Sequence, residues 1–319
     1  HNDLPGEDLT NLTRTLAPNA PNLYNDDGSL NWADNTWANP IASRTYERFD
    51  AKSRTLILNG RVDYRFFKHW VVKANLGLTT MNLQDKKVTP STKFNPDLNL
   101  DSSRSLVSSS TGERSSWISE PQLEYENTWG KIQLTGLVGM TFQEENSSIL
   151  SLRGRDFPSN ELLGDLSAAS ILEVRQNVSS SYRYQAVFGR VNLNWDGKYI
   201  LNITSRRDGS SRFGTDRRYA NFGAVGAAWL FSRESLFTGL DFLSFGKLRG
   251  SYGITGNDQI GDYEYLDTYS LTGRSYGGLS GLAPTQLFNP TFGWETNRKL
   301  ELGLALGFVD DHIRTEVSF

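Results

Sequence analysis

The chain has 319 residues, with 33 Lys and Arg against 36 Asp and Glu and a formal net charge of −3. That balance offers no basic surplus for nucleic acid, and the absence of cysteine excludes disulfides, thiolate metal sites and a thiol nucleophile. Only 37% of residues are apolar, and 17 Phe, 13 Tyr, 8 Trp and 29 Gly accompany 2 Met, a mixture suited to pleated strands joined by turns.

No run approaches the roughly 18 consecutive apolar residues of a transmembrane helix. A membrane β-barrel is untouched by that test, because its hydrophobicity sits in alternate residues. No signal peptide stands at His1, so the chain reads as a mature product, a truncated one or a fragment.

Residues 1–52 carry no periodicity. Asn25-Asp26-Asp27-Gly28 and Asn39-Pro40 are turn signals, and Asp26-Asp27 lack the spaced carboxylates of a calcium loop. Trp32, Trp37 and Tyr46 are unusual in so polar a segment; they either pin the loop down or offer stacking surfaces to a ligand.

From Ser53 alternation begins. Leu56, Leu58, Val62, Tyr64 and Phe66 share one face, and after a turn near Lys68 follow Trp70, Val72, Ala74, Leu76 and Leu78. Residues 81–116 read as a long polar connection. A second pair places Leu123 and Tyr125 before a turn at Trp129-Gly130, then Ile132, Leu134, Val138, Met140 and Phe142. Residues 144–181 read as another long connection.

The third pair is the sharpest. Val187, Val191 and Leu193 share a face, Asp196-Gly197 supplies the positive φ angles of a two-residue hairpin turn, and Tyr199, Leu201 and Ile203 alternate with Asn202, Thr204 and Arg206. A loop from Asp208 to about Arg218 leads to a strand over Ala220–Phe231. Leu236, Leu240 and Leu243 stand at helical spacing behind Ser232, predicting one short helix. A strand with Leu248, Tyr252 and Ile254 follows. Residues 257–296 form the longest connection, with the Gly-rich GRSYGGLSG at 273–281. The last hairpin runs from Leu300 to Phe308, turns at Asp310-Asp311 and continues through Ile313, Thr315, Val317 and Phe319.

The pattern predicts an all-β chain: five antiparallel hairpins over 53–319, about ten strands, with connections alternating short and long. Short turns on one side and long loops on the other mark an outer-membrane barrel, and strands of about ten residues suffice to cross the hydrocarbon layer. Trp70, Trp117, Trp129, Trp195, Tyr199 and Trp229 suit interfacial girdles. On this reading 1–52 is an extracellular loop region, the leucines face lipid, and the polar face (Arg61, Asp63, Asn192, Arg206, Arg249, Glu301) borders a hydrated or plugged lumen.

Several motifs then carry a family resemblance: Phe188-Gly189-Arg190-Val191-Asn192, Lys198-Tyr199-Ile200-Leu201, and Arg206-Arg207-Asp208-Gly209-Ser210-Ser211-Arg212-Phe213-Gly214. Trp229 with Glu234 and Phe237, Lys247 to Asn257, Asn289-Pro290 and Trp294-Glu295-Thr296 follow in order. Together they resemble the SusC/RagA-type TonB-linked outer-membrane transporters. Ala228 and Gly223 stand where that pattern has Gly and Pro. The resemblance implies a segment of a barrel of about 22 strands, with the plug domain and later strands outside it. It further implies uptake of oligosaccharides or peptides across the outer membrane of a Gram-negative bacterium, powered through TonB, with a SusD-like surface lipoprotein and outer-membrane lipid as partners. A soluble carbohydrate-binding β domain and a plug-less porin are the alternatives.

No enzyme chemistry is legible. His1, His69 and His312 lack metal spacing, no Gly-x-Ser-x-Gly elbow is present, and no cofactor is implied. Candidate ligand contacts are the loop aromatics Trp32, Trp37, Tyr265, Tyr269 and Tyr276. Arg206, Arg207, Asp208, Gly209, Ser210, Ser211 and Arg212 form a signature loop. In its plainest reading the glycines permit turns, Asp208 and the serines bond local backbone, and the arginines pair with loop carboxylates or lipopolysaccharide phosphates.

Overall fold

The computed structural model describes residues 2–5, 10–237, 239–240, 242–277 and 279–319. Its main sheet is built around the alternation seen in the sequence. The strands are β1 (Asn2–Pro5), β2 (Arg48–Phe67), β3 (Trp70–Thr89), β4 (Leu106–Trp129), β5 (Ile132–Arg155), β6 (Ile171–Trp195), β7 (Tyr199–Ser210), β8 (Tyr219–Trp229), β9 (Leu243–Asn257), β12 (Glu295–Phe308) and β13 (Ile313–Ser318). They lie in the order β1-β2-β3-β4-β5-β6-β7-β8-β9-β12-β13, an 11-stranded sheet in which sequence neighbours are spatial neighbours. β1 is a short strand on the first four residues of β2. The other ten strands make five hairpins. β10 (Thr268–Tyr276) and β11 (Leu279–Gln286) pair separately.

The third hairpin turns at the expected residues but through a three-residue loop, in place of the expected two-residue one. Asp196 and Gly197 both have positive φ (55° and 64°), and the Lys198 N–H donates to the Trp195 carbonyl at 3.0 Å. Lys198 is one residue more than a two-residue loop contains, and pairing resumes with Trp195 opposite Tyr199.

Five further expectations need correction. The polar connection 81–116 is mostly strand: β3 continues to Thr89 and β4 begins at Leu106, leaving 90–105. Likewise β5 reaches Arg155 and β6 starts at Ile171, leaving 156–170 in place of 144–181. Strands that continue past a hydrocarbon layer meet water on both faces, so their hydrogen bonding persists while the apolar alternation stops. The helix expected behind Ser232 is a 3-10 turn, Phe231–Arg233, and Leu243 opens β9; Leu236 is 82% exposed, so its helical spacing marks no buried face. The connection 257–296 holds the β10–β11 hairpin. Finally, most of the signature loop is not a loop, because Arg206, Arg207, Asp208, Gly209 and Ser210 end β7 and only Ser211 and Arg212 lie in the turn that follows.

The chain divides into two units: 1–57, 79–115 and 146–180 form one, and 58–78, 116–145 and 181–319 the other. The first has a small apolar core of Val107, Phe157 and Leu163 flanked by Val88, Leu166 and Ala169. Its N-terminal loops are tied down by polar contacts. Asn39 donates to the Leu23 and Asn31 carbonyls at 2.6 and 2.9 Å, and buried Glu47 meets Lys87 at 2.9 Å and Lys93 at 2.5 Å.

In the second unit the sheet has two chemically opposite faces. One register row reads Leu193, Leu201, Ala227, Gly250, Leu302; the next toward the short turns reads Trp195, Tyr199, Trp229, Leu248, Leu304; the next away reads Val191, Ile203, Val225, Tyr252, Leu300. Most of these side chains are exposed, so this face is apolar and uncovered. The intervening residues, Asn192 opposite Asn202 and Arg190 opposite Thr204, make the other face polar.

Candidate functional site

The polar face of the second unit carries a cleft of about 920 Å³, lined by residues of β4 to β9 and by Trp294. Its position follows from register. Phe188 lies opposite Arg206 and Ala186 opposite Asp208, so every second residue from Tyr182 to Arg190 and from Thr204 to Asp208 points the same way.

Two charge-paired groups organise the cleft. Arg206 Nε donates to both oxygens of Asp208, at 2.8 and 2.9 Å, and its Nη2 donates to the Tyr184 hydroxyl at 2.5 Å. Asp208 is 6% exposed, so its charge is matched almost wholly by this arginine. Further along, the Tyr182 hydroxyl donates to Asp258 Oδ2 at 2.7 Å, and the Arg212 guanidinium lies 4.2 Å from the Tyr182 ring centre. Arg212 also donates to Asp262 Oδ1 and to the Asp258 carbonyl, each at 2.9 Å. One arginine thereby fastens the segment after β9 to the middle of β6, through cation–π and charge-assisted bonds together.

An aromatic block stands beside this fastening. Phe213 is fully buried, with its ring 5.1 Å from that of Trp294, and Phe222 meets Trp294 edge-on at 5.4 Å. The Trp294 indole N–H donates to the Arg218 carbonyl at 3.1 Å. A Cβ at Gly256 would lie 2.0 Å from the Phe222 ring, so only glycine lets that ring take its place. Ser211 completes the closure by exchanging bonds with Arg183: its N–H donates to the Arg183 carbonyl and its Oγ accepts from the Arg183 N–H, both at 2.9 Å.

The signature stretch thus divides into an inward pair that shapes the cleft (Arg206, Asp208) and a framework that locks the loops (Ser211, Arg212, Phe213). Sequence reasoning did not place Tyr182, Asp258 or Phe222 at a site and met Trp294 only as part of a motif, because the four are far apart in the chain. Strand alternation alone could have placed Tyr182, Tyr184 and Arg190 on the face of Arg206.

The aromatic candidates are scattered. Trp32 and Trp37 belong to the first unit; Trp37 is half-buried and its indole N–H donates to the Asn31 carbonyl at 3.0 Å. In the second unit Tyr265 packs against Gly214, and Tyr269 is 58% exposed on β10; neither lines the cleft. The Tyr276 side chain lies outside the described residues. His69 and His312 sit on short turns, each bonded to a carbonyl, of Glu126 and Val309 respectively. Hydroxyls, amides and paired charges around aromatic rings are the kinds of group with which a cleft can orient a polar ligand.

Comparison with known proteins agrees with this architecture. The sequence profile described as "TonB dependent receptor-like, beta-barrel" matches residues 1–319. TonB-dependent receptor P3 of Formosa agariphila is 29% identical over 322 residues, covering 98% of this chain and 31% of that protein. TonB-dependent receptor SusC of Bacteroides thetaiotaomicron is 33% identical over 135 residues, covering 40% of this chain and 13% of that protein. Among solved structures, the RagAB peptide transporter superposes with a TM-score of 0.76 at 25% identity, over 86% of this chain and 30% of that one. The chain spans about a third of the length of the curated relatives that it matches along its whole course.

Proposed function

This chain belongs to the TonB-dependent receptor-like β-barrel family, and we propose that it forms part of the wall of an outer-membrane importer for oligosaccharides or peptides. The observation that carries the proposal is the division of one set of strands into an uncovered apolar face, with Leu201, Ile203, Leu300 and Leu302 in register, and a polar face holding the cleft. Lipid covers the first face and the second borders the transport path. The same division weighs against a soluble carbohydrate-binding domain, which would have to leave the apolar rows in water.

In this reading the wall is passive. Paired charges and ring faces hold the ligand from the long-loop side, and TonB supplies the energy through a plug within the barrel. A SusD-like surface lipoprotein closes over the loops, with the exposed Tyr269 available for stacking at that side. Uptake of labelled oligosaccharide and peptide pools by cells expressing the full-length protein, with and without TonB, tests the reading. Accumulation of either pool that disappears with TonB is expected; equal accumulation in both strains, or in neither, overturns it.

A further inference from the structure

The two arginines at 206 and 207 part company at the sheet. Arg206 turns to Asp208 in the cleft, whereas Arg207 faces the opposite, apolar side, in register with Val187 of β6 and Asn221 of β8. Its guanidinium carbon lies 5.4 Å from the Tyr219 ring centre, and its Nη1 donates to Asn221 Oδ1 at 3.4 Å. No carboxylate pairs with it among the described residues. Tyr219 is held in turn by Gln185, whose Nε2 donates to its hydroxyl at 2.5 Å.

The height of Arg207 is informative. It is the ninth residue of β7 counted from Tyr199 at the short-turn end, and a tilted strand crosses the hydrocarbon layer in about 9–11 residues. Arg298 on β12 repeats the arrangement. It is exposed, faces the same side in register with Ile254, and is the eleventh residue counted from Phe308, with Leu300, Leu302 and Leu304 between. It too has no ion-pair partner among the described residues. An arginine at the edge of an apolar face has lost part of its hydration and gains most from a phosphate, which it meets in a bidentate fork.

We infer that Arg207 and Arg298 form a rim that binds the phosphates of lipid headgroups in the leaflet on the long-loop side. The inference rests on the membrane reading proposed above. A lipid is favoured over free phosphate because the rim continues directly into apolar rows: acyl chains under such a headgroup would lie over Ile203 and Leu300.

The test uses the full-length protein in detergent, titrated with diphosphoryl lipid A, with the same lipid stripped of phosphate, and with inorganic phosphate as competitor. Phosphorylated lipid should bind about tenfold more tightly than stripped lipid. Arg207→Gln combined with Arg298→Gln should remove that preference while keeping the heat-modifiable mobility of a folded barrel, and Arg207→Lys should keep part of it. No preference in the unaltered protein, full preference in the double variant, or inorganic phosphate displacing lipid as effectively as lipid itself overturns the inference. Normal TonB-dependent uptake without any phosphate preference overturns this inference alone; phosphate preference without uptake overturns the transport reading alone.

Discussion

Asp208 gives both carboxylate oxygens to Arg206 and is almost wholly buried. Asp208→Asn keeps the shape but leaves the arginine without its counter-charge, so it should cost about 1–3 kcal/mol of stability, read as a lower urea midpoint for the folded barrel. Glu47 offers a pH test. Burial pushes its carboxyl up, but hydrogen bonds and charges from Lys93 and Lys87 outweigh burial and hold it below the ordinary carboxylate range. Such a group binds protons more readily in the unfolded chain. Its contribution is therefore complete above the unfolded value of about 4.3 and is lost as pH falls through the folded value. Amide exchange over residues 33–47 should accelerate on acidification below about pH 4, and Glu47→Gln should abolish that step by making exchange fast at neutral pH as well. Neither partnership could be read from the sequence, because Glu47 meets lysines some forty residues away and nothing in the local pattern singles it out from other loop carboxylates.

At the scale of elements, the hairpins were legible and the strand limits were not. Alternation is imposed only where one face meets lipid and the other water, so Leu56 to Leu78 and Val187 to Ile203 declared themselves. Residues 81–89 and 106–116 continue the same ladders without any apolar rhythm. The short helix was misread because three leucines happened to fall at helical spacing, when Phe231 instead packs on Trp229 and Phe237 with ring distances of 5.7 and 5.3 Å. Two glycines test the elements directly. A side chain at Gly197 would displace only the flexible end of Arg233, at 2.6 Å, so the backbone decides: Gly197→Val should cost about 1–2 kcal/mol through its left-handed φ of 64°. Gly256→Ala is different. The new methyl must evict Phe222 from its contact with Trp294, so a red-shifted tryptophan emission and a loss of about 1–3 kcal/mol are expected. Unchanged emission would count against the aromatic block.

For the molecule as a whole, the two faces should answer differently to the same substitution. Ile203 lies near the middle of the apolar face and Asn202 on the polar one. Ile203→Arg should lower folding into lipid vesicles by about 2–4 kcal/mol, while Asn202→Arg should fold normally and alter uptake instead; equal effects would refute the assignment of faces. The parting of Arg206 from Arg207 carries a further consequence, about how such a wall can change length over evolution. Inserting one residue between Tyr199 and Arg206 would throw the Arg206–Asp208 pair out to the lipid side and bring Arg207 inside. Inserting two would preserve sides and merely raise every group by about 7 Å. Gaps in alignments of related chains should therefore come in even numbers within β6 and β7, and in any number within the β10–β11 hairpin, which pairs apart from the main sheet.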